Sequence, residues 1–222
     1  MKNWLRHNRN FLFFLLGLGL FRTAIADWNP IPSGSMRPTL LEGDVVLVDR
    51  TAYAIKLPLT DIALFRLSEP VRGDVVTFSS PKDGQRLIKR IVAGPGDVVE
   101  MRDEALFING AKADYVRRGL GLEAMEDGSV TSVIHATERL AGRDHTVQFL
   151  PQLGAMRSFG PMRVPDDQYF VLGDNRDNSA DSRYIGFVPR KLLIGRAHRI
   201  LASADIKGRW APRAERFGQQ IE

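Results

Sequence analysis

The chain has no cysteine. Disulfides, thiolate metal sites and a cysteine nucleophile are therefore excluded. Histidine is scarce: the four are His7, His135, His145 and His198. They show no ligand spacing, so neither a zinc centre nor a histidine-based triad is expected. No block of like charge and no low-complexity run interrupts the 222 residues. The net charge of +5 is small and spread along the chain, which favours a nearby anionic surface such as lipid headgroups over nucleic acid. No long segment after residue 30 carries sustained helical periodicity. What remains is ordinary for a globular protein: hydrophobic residues make up 44% and charged residues 26%, enough for one domain of moderate size with a buried core.

The N-terminus carries Lys2, Arg6, His7 and Arg9, followed by the apolar run Phe11 to Phe21; Arg22 then interrupts, and Thr23-Ala24-Ile25-Ala26 follows. Residues 11–26 would make about 24 Å of helix at about 1.5 Å per residue. That falls short of the ~30 Å hydrocarbon core of a bilayer. Trp4 and Trp28 bracket the segment as interfacial aromatics do, and Arg22 can snorkel. The basic end implies an N-inside, C-outside orientation. The same segment, with its short apolar region and Ala24-Ile25-Ala26, also looks like a cleavable secretory signal. Retention is the expectation, because a candidate nucleophile follows within ten residues and the segment then tethers it at the membrane surface. Inefficient cutting at Ala26–Asp27 in cis follows from that reading. The expected organisation is a cytoplasmic basic N-terminus (1–9), one transmembrane anchor (10–27), a catalytic β domain (28–206) with an insertion at about 111–160, and a tail (207–222).

The remainder reads as mostly β. Gly43-Asp44-Val45-Val46, Gly73-Asp74-Val75-Val76 and Gly96-Asp97-Val98-Val99 each set a Gly-Asp turn before β-branched residues. Strands are predicted at 44–49, 74–78, 86–92, 97–101, 105–108, 168–172 and 193–202. Asn109-Gly110 reads as a hairpin turn. Short helices are expected near 38–41 and 189–192. Residues 111–160, rich in Gly and charge, read as an inserted subdomain away from the chemistry. Residues 53–65 are apolar-rich and fit either a buried strand pair or a surface resting on the bilayer. The tail from Lys207 is expected to be peripheral or poorly ordered.

Three segments carry chemistry. In Pro32-Ser33-Gly34-Ser35-Met36-Arg37-Pro38, two prolines stiffen a turn in which Gly34 allows close approach, so that a hydroxyl is held exposed. Most Ser-Gly-Ser turns are simply loops, and this one is not diagnostic alone. In Arg86-Leu87-Ile88-Lys89-Arg90-Ile91-Val92, the period of two sets Lys89 on a face with Leu87 and Ile91. A strand lysine there either snorkels to solvent or is desolvated, and desolvation lowers its pKa enough for it to act as a base. The stretch Gly173–Arg183 is almost wholly polar. Ser179 is its candidate partner for the Lys89 nitrogen, Asp181 and Arg183 can pair to hold the loop, and Asp174 can brace it. Arg176 and Arg183 in the same loop argue against a cation site. A serine, a lysine and this loop together point to a serine protease with a lysine base.

In that order, Pro-Ser-Gly-Ser-Met-Arg-Pro-Thr-Leu, Ile-Lys-Arg and Gly-Asp-Asn-Arg-Asp-Asn-Ser-Ala-Asp-Ser-Arg resemble bacterial type I signal peptidase, with Arg72–Val76 a further family-like segment. The resemblance runs from about Trp28 to Arg199. It implies a mostly antiparallel β domain with no metal and no cofactor. Ser35 is then the acylated nucleophile and Lys89 its general base. The Ser35 N–H and the Ser33 hydroxyl form the oxyanion hole. Ser179 orients Lys89, with Asp174, Asp181 and Arg183 in support. Ile31, Pro32, Met36, Leu87 and Ile88 line shallow pockets for small residues at the first and third positions before the cut. The implied substrates are signal peptides of exported preproteins with Ala-x-Ala sites. Membrane lipid and the secretion translocon are further implied partners. The implied location is the bacterial inner membrane with the catalytic domain on the periplasmic side. Two departures are visible: many Gram-negative members have two N-terminal spans where this chain has one, and Leu87 stands where an aromatic is usual.

Three other readings use the same residues. A specialised pilin-maturing relative would share the dyad. A non-catalytic β module that binds signal peptides would keep the apolar pockets without needing Lys89. A self-cleaving repressor also uses Ser and Lys, but the membrane segment and the lack of a DNA-reading domain argue against it.

Overall fold

The computed structural model describes residues 2–125 and 128–221. The side chains of residues 2, 3, 5 and 6 lie outside the described set, so the basic N-terminal segment is described only in part and the expectations placed on Lys2 and Arg6 are outside it. After helix α1 (Lys2–Ala24) the chain is almost entirely strand. In order these are β1 (Ala26–Pro30), β2 (Asp44–Asp49), β3 (Ala54–Lys56), β4 (Ala63–Arg66), β5 (Val75–Ser79), β6 (Arg86–Ala93), β7 (Val98–Arg102) and β8 (Ala105–Ile108). Then come β9 (Ala111–Lys112), β10 (Asp114–Ala124), β11 (Val130–Leu140), β12 (Arg143–Phe149), β13 (Phe159–Arg163), β14 (Gln168–Leu172), β15 (Val188–Pro189) and β16 (Leu193–Ser203), with a one-turn helix α2 (Ser182–Ile185) before β15.

The mostly β expectation holds, and the paired strands are antiparallel. Seven strands form the main sheet in the order β1-β2-β16-β5-β6-β14-β15. A three-stranded sheet (β10-β11-β12), a four-stranded sheet (β13-β7-β8-β9) and the hairpin β3-β4 complete the fold.

The three Gly-Asp turns share one device. Asp44, Asp74 and Asp97 each accept, through Oδ2, the N–H three residues back, on Leu41, Val71 and Gly94, at 2.8, 3.1 and 2.8 Å. Each preceding glycine has positive φ, which a β-branched residue would resist. A local side-chain bond thus fixes where β2, β5 and β7 start, and the Val-Val pairs that follow feed the core, with Val46, Val75, Val76 and Val99 all buried. Asn109 and Gly110 both have positive φ and join β8 to β9 as a tight hairpin.

Residues 37–40 are turns, not the short helix expected near 38–41. Thr39 Oγ1 reaches across the chain to Asp174 Oδ2 at 2.6 Å, the kind of side-chain bond that competes with a helical turn. Residues 190–192 do form a single 3-10 turn. The tail from Lys207 is docked on the surface: Arg216 pairs with Asp44 at 2.5 Å, and Gln220 bridges to Arg199.

Helix α1 is about 34 Å long at about 1.5 Å per residue. Among the described residues, no helix is long and apolar enough to cross a membrane. Phe11, Phe13, Phe14 and Leu16 are exposed along it. Its C-terminal end is fastened to the domain: Arg22 Nε bonds Asp27 Oδ1 at 2.8 Å and its guanidinium lies 4.5 Å from the centre of the Trp28 ring.

Candidate active site

Ser35 sits in a 3-10 turn, Gly34–Met36, whose geometry is set by its neighbours. Met36 and Ile31 are sealed in the core at 0% and 3% exposure, which pins the turn from beneath. These two residues, expected to line substrate pockets, therefore pack inward. Arg37 clamps the far side, bonding Glu42 Oε2 at 2.7 Å and Glu123 Oε1 at 3.0 Å. The polar loop holds the turn from above, with Asn175 Nδ2 donating to the Gly34 carbonyl at 3.0 Å and the Asn175 N–H to the Ser35 carbonyl at 3.2 Å.

Lys89 comes from β6 and is 2% exposed. Its Nζ lies 2.6 Å from Ser35 Oγ and 2.9 Å from the Ile88 carbonyl. Burial pulls the ammonium down to about 8, although the carboxylates of Asp181 and Asp174 pull the other way. Roughly a tenth of the amine is therefore neutral at pH 7, against far below one per cent for an ordinary lysine, and it lies next to a hydroxyl.

The supporting charges are arranged around this pair. Arg90, adjacent in β6, bonds both Asp174 oxygens at 2.9 and 2.7 Å and also the Gly73 carbonyl at 2.9 Å. Burial would raise the Asp174 carboxyl, but Arg90 outweighs it and holds the group below its ordinary value. Asp181 and Arg183 form a two-pronged pair at 2.8 and 2.8 Å. Asp181 also caps α2 and accepts from the Gly173 N–H at 3.1 Å.

The bond expected between Ser179 and Lys89 is not made. Lys89 Nζ donates to Ser35 and Ile88, and Ser179 Oγ is buried without a partner among the described residues. Ser179 instead packs on Gly173, where an added Cβ would lie 2.2 Å from Ser179 Oγ and 2.4 Å from the Ser35 carbonyl oxygen. Ser33 and Pro32 are exposed at the mouth of the site.

A groove of about 890 Å³ opens over the dyad. One wall is Pro32, Ser33, Leu87 and Ile88. The other comes from the inserted segment: Met125, Val130, Thr131, Gln152 and Leu153. The expectation that 111–160 stands away from the chemistry is corrected by this. The reason is a zipper of bonds between that segment and the polar loop. The Gln148 N–H donates to the Asp174 carbonyl and the Arg176 N–H to the Gln148 carbonyl, both at 2.9 Å, and the Leu150 N–H donates to Asp177 Oδ2 at 2.8 Å. Arg176 is buried against Glu138 of β11, with Nη1 to Oε1 at 2.7 Å. Tyr115 and His145 also contact that carboxylate.

Sequence reasoning missed Arg90, Glu138, Asn175 and Arg176 as structural supports. Arg90 carried a signal in its position beside Lys89. Glu138 carried none, since one acid in a polar strand looks solvated.

A family model for signal peptidase, peptidase S26, matches residues 2–202. Signal peptidase I of Pseudomonas fluorescens is 36% identical over 211 residues, spanning 89% of this chain and 72% of that protein. Signal peptidase I of Rickettsia typhi is 35% identical over 214 residues, spanning 89% and 80%. Among solved structures, a signal peptidase I from Enterococcus faecalis matches 59% of this chain and 97% of that one, at 33% identity and a TM-score of 0.36.

Proposed function

The chain belongs to the signal peptidase I family, peptidase S26: it is a serine endopeptidase that removes signal peptides from exported preproteins, and we propose that Ser35 and Lys89 carry the reaction. The observation behind this is the 2.6 Å contact between Lys89 Nζ and Ser35 Oγ at the floor of an open groove.

Neutral Lys89 accepts the Ser35 proton as Oγ attacks the carbonyl of the residue before the cut. The Ser35 N–H and the Ser33 hydroxyl stabilise the oxyanion. Lysinium protonates the departing amine, and Lys89 then takes a proton from the water that cleaves the acyl-enzyme. Ser179, with its unpaired hydroxyl, turns toward Lys89 when substrate displaces water and so orients the amine. Asp174, Asp181 and Arg183 keep the loop rigid around it.

The substrate enters as an added strand. β14 pairs with β6 only from Arg90 onward, so the edge of β6 at 86–89 is not taken up by β14. A preprotein segment can hydrogen-bond there. Pro32, Leu87 and Ile88 then contact its small side chains, and the wall of Met125, Val130, Thr131, Gln152 and Leu153 bounds the groove opposite.

The domain is held at the bacterial inner membrane on the periplasmic side, near the translocon that delivers its substrates. The helical part of the expected anchor, residues 10–24, serves as the single anchor, because Ala26 and Asp27 belong to β1 of the main sheet. Arg9 and Arg22, roughly 20 Å apart along α1 at about 1.5 Å per residue, snorkel to the two headgroup levels of a locally thinned bilayer. The exposed apolar side chains of the hairpin, from Ile55 to Phe65, rest on the same surface, while Tyr53 and Ala54 at its base are buried.

The test is incubation of the detergent-solubilised chain with a preprotein bearing Ala-x-Ala. The wild type cuts after the second Ala, whereas Ser35→Ala and Lys89→Ala lose at least about 10³-fold in rate. Lys89→Ala cleaving as fast as wild type rules out the dyad and favours a second protease or a binding module.

A further inference from the structure

The hairpin β3-β4 stands as a sheet of its own. Ile55, Leu57, Leu59, Ile62, Leu64 and Phe65 are between 43% and 68% exposed along it. Its turn lies beside the end of α1, since the Leu59 N–H donates to Thr23 Oγ1 at 3.1 Å. So many large apolar side chains on one short element call for a cover.

Behind the hairpin lies a cavity of about 300 Å³. Ala63, Leu64 and Phe65 make one apolar side, Tyr53, Ala54, Leu193 and Ile194 add further apolar lining, and five cations (Arg50, Lys56, Arg66, Arg190 and Lys191) stand among them. Asp61 pairs with Arg50 and Asp167 with Arg66, and Glu69, just outside the lining, pairs with Arg190, so among the described residues Lys56 and Lys191 are the lining cations with no carboxylate partner. Three of the cations are buried, Arg50 and Lys56 at 5% exposure and Arg190 at 8%, and Arg190 is already met by Glu69 and by the Ser68 carbonyl. Arg50 bonds Asp61 and the Thr60 carbonyl through Nη2, but its buried Nε has no partner among the described residues. Lys56 makes its hydrogen bonds to two backbone carbonyls, of Leu193 and Ile194, at 2.5 and 2.7 Å. An ammonium has three donors, so one remains beyond these two bonds. Burying positive charge this way is costly unless an anion completes it.

We propose that this cavity binds the phosphodiester of one anionic phospholipid, with the lipid's glycerol end against the apolar hairpin. Phosphate oxygens would accept from Arg50 Nε and Lys56 Nζ, the donors the protein leaves unused. The surplus of positive charge selects a net-anionic headgroup over a zwitterionic one. The apolar rim selects an amphiphile over a free ion. Burial draws the Lys56 ammonium down to about 8 in the absence of such a ligand, and an adjoining phosphate would hold it charged. The inference rests on the reading of the hairpin as membrane-facing, and adds a headgroup site to it.

The experiment uses the full chain in mild detergent, with native mass spectrometry during titration by phosphatidylglycerol, phosphatidylcholine or glycerol 3-phosphate. One saturable phosphatidylglycerol adduct is expected, weakened about tenfold by Lys56→Met and by Lys191→Glu. Lys191 is a surface position, so that variant decides the matter if Lys56→Met fails to fold. Equal binding of phosphatidylcholine, equal occupancy by glycerol 3-phosphate, or an adduct untouched by both variants would overturn the site. Flotation of the wild type with phosphatidylcholine vesicles reads membrane attachment separately: flotation without phosphatidylglycerol selectivity sinks the pocket alone, and no flotation on either lipid sinks both.

Discussion

Lys89 Nζ lies 2.6 Å from Ser35 Oγ, although 54 positions separate the two residues in the chain. β6 brings the lysine, and a turn clamped by Arg37 and Asn175 brings the serine. The contact is useful because the amine is dry, and burial takes its pKa to about 8. Below that value the base is protonated. The rate constant kcat/KM is therefore expected to rise about tenfold per pH unit below 8 and to level off above it. A steady-state profile with an optimum near pH 5 would contradict this. Lys89→Arg should be inactive across the range, because a guanidinium stays charged.

The same burial has a cost in stability with a definite sign. The folded state holds Lys89 near 8 and the unfolded state near its ordinary 10.5, so the unfolded chain binds more protons between those values. Stability from this group is lowest below pH 8 and recovers as pH rises toward 10.5. Lys89→Met removes the penalty, which is on the order of 3 kcal/mol at pH 7 before any loss of packing. Urea denaturation should find the variant more stable than wild type at pH 7 by about 1–3 kcal/mol. The advantage should fade near pH 10.5; a gain independent of pH would point to packing instead.

Much of the main sheet was legible because its signals are local. Gly-Asp before Val-Val announces a turn and a strand wherever it falls, and strands 44–49, 105–108 and 168–172 have the expected bounds. The sheet β10-β11-β12 was not legible, for two reasons. β10 alternates between exposed and half-buried positions without a buried stripe, and Gly119 and Gly121 break its pattern. β11 buries Thr137 and Glu138, polar residues that a reader of hydrophobic periodicity assigns to solvent. Glu138 is inside because Arg176 is there to meet it, and nothing near either residue in sequence says so. The site divides likewise. The acid–base pair of the loop, Asp181 with Arg183, is two residues apart and could be foreseen, but the partner of Asp174 is Arg90, on another strand.

Gly173 is the tightest joint in the site. A methyl group added there would meet Ser179 Oγ at 2.2 Å and the Ser35 carbonyl oxygen at 2.4 Å, so the Ser35 backbone must move. Displacing a nucleophile by about 1 Å costs on the order of 10² in rate. Gly173→Ala is expected to lower kcat by about that factor while the protein remains folded. Gly154→Ala is the control, since an added Cβ there meets nothing within 4 Å. Equal activity of the two variants would mean that the loop yields and Ser35 does not move.

The chain carries Ala24-Ile25-Ala26 ahead of Asp27, which is the sort of sequence it would cut in a substrate. Its own copy is built into the fold. Ala26 to Pro30 form β1, paired residue by residue with β2 from Ala26↔Asp49 to Pro30↔Val45. Asp27 is 4% exposed and its carboxylate is held by Arg22 at 2.8 Å and by Arg86 at 3.0 Å. Arg86 opens β6, the strand on whose edge we propose the substrate lies. For the Ala26–Asp27 bond to reach Ser35, β1 would have to leave the sheet and both ion pairs would have to break. The intact chain should therefore keep its full mass during prolonged incubation in detergent. A free peptide covering residues 15–35 has no such pairing and should be cut after Ala26 by the same preparation. Mass spectrometry reads both results at once: cleavage of the peptide beside an intact enzyme shows that strand pairing protects the neck, whereas a product beginning at Asp27 from the purified chain would show that β1 opens readily.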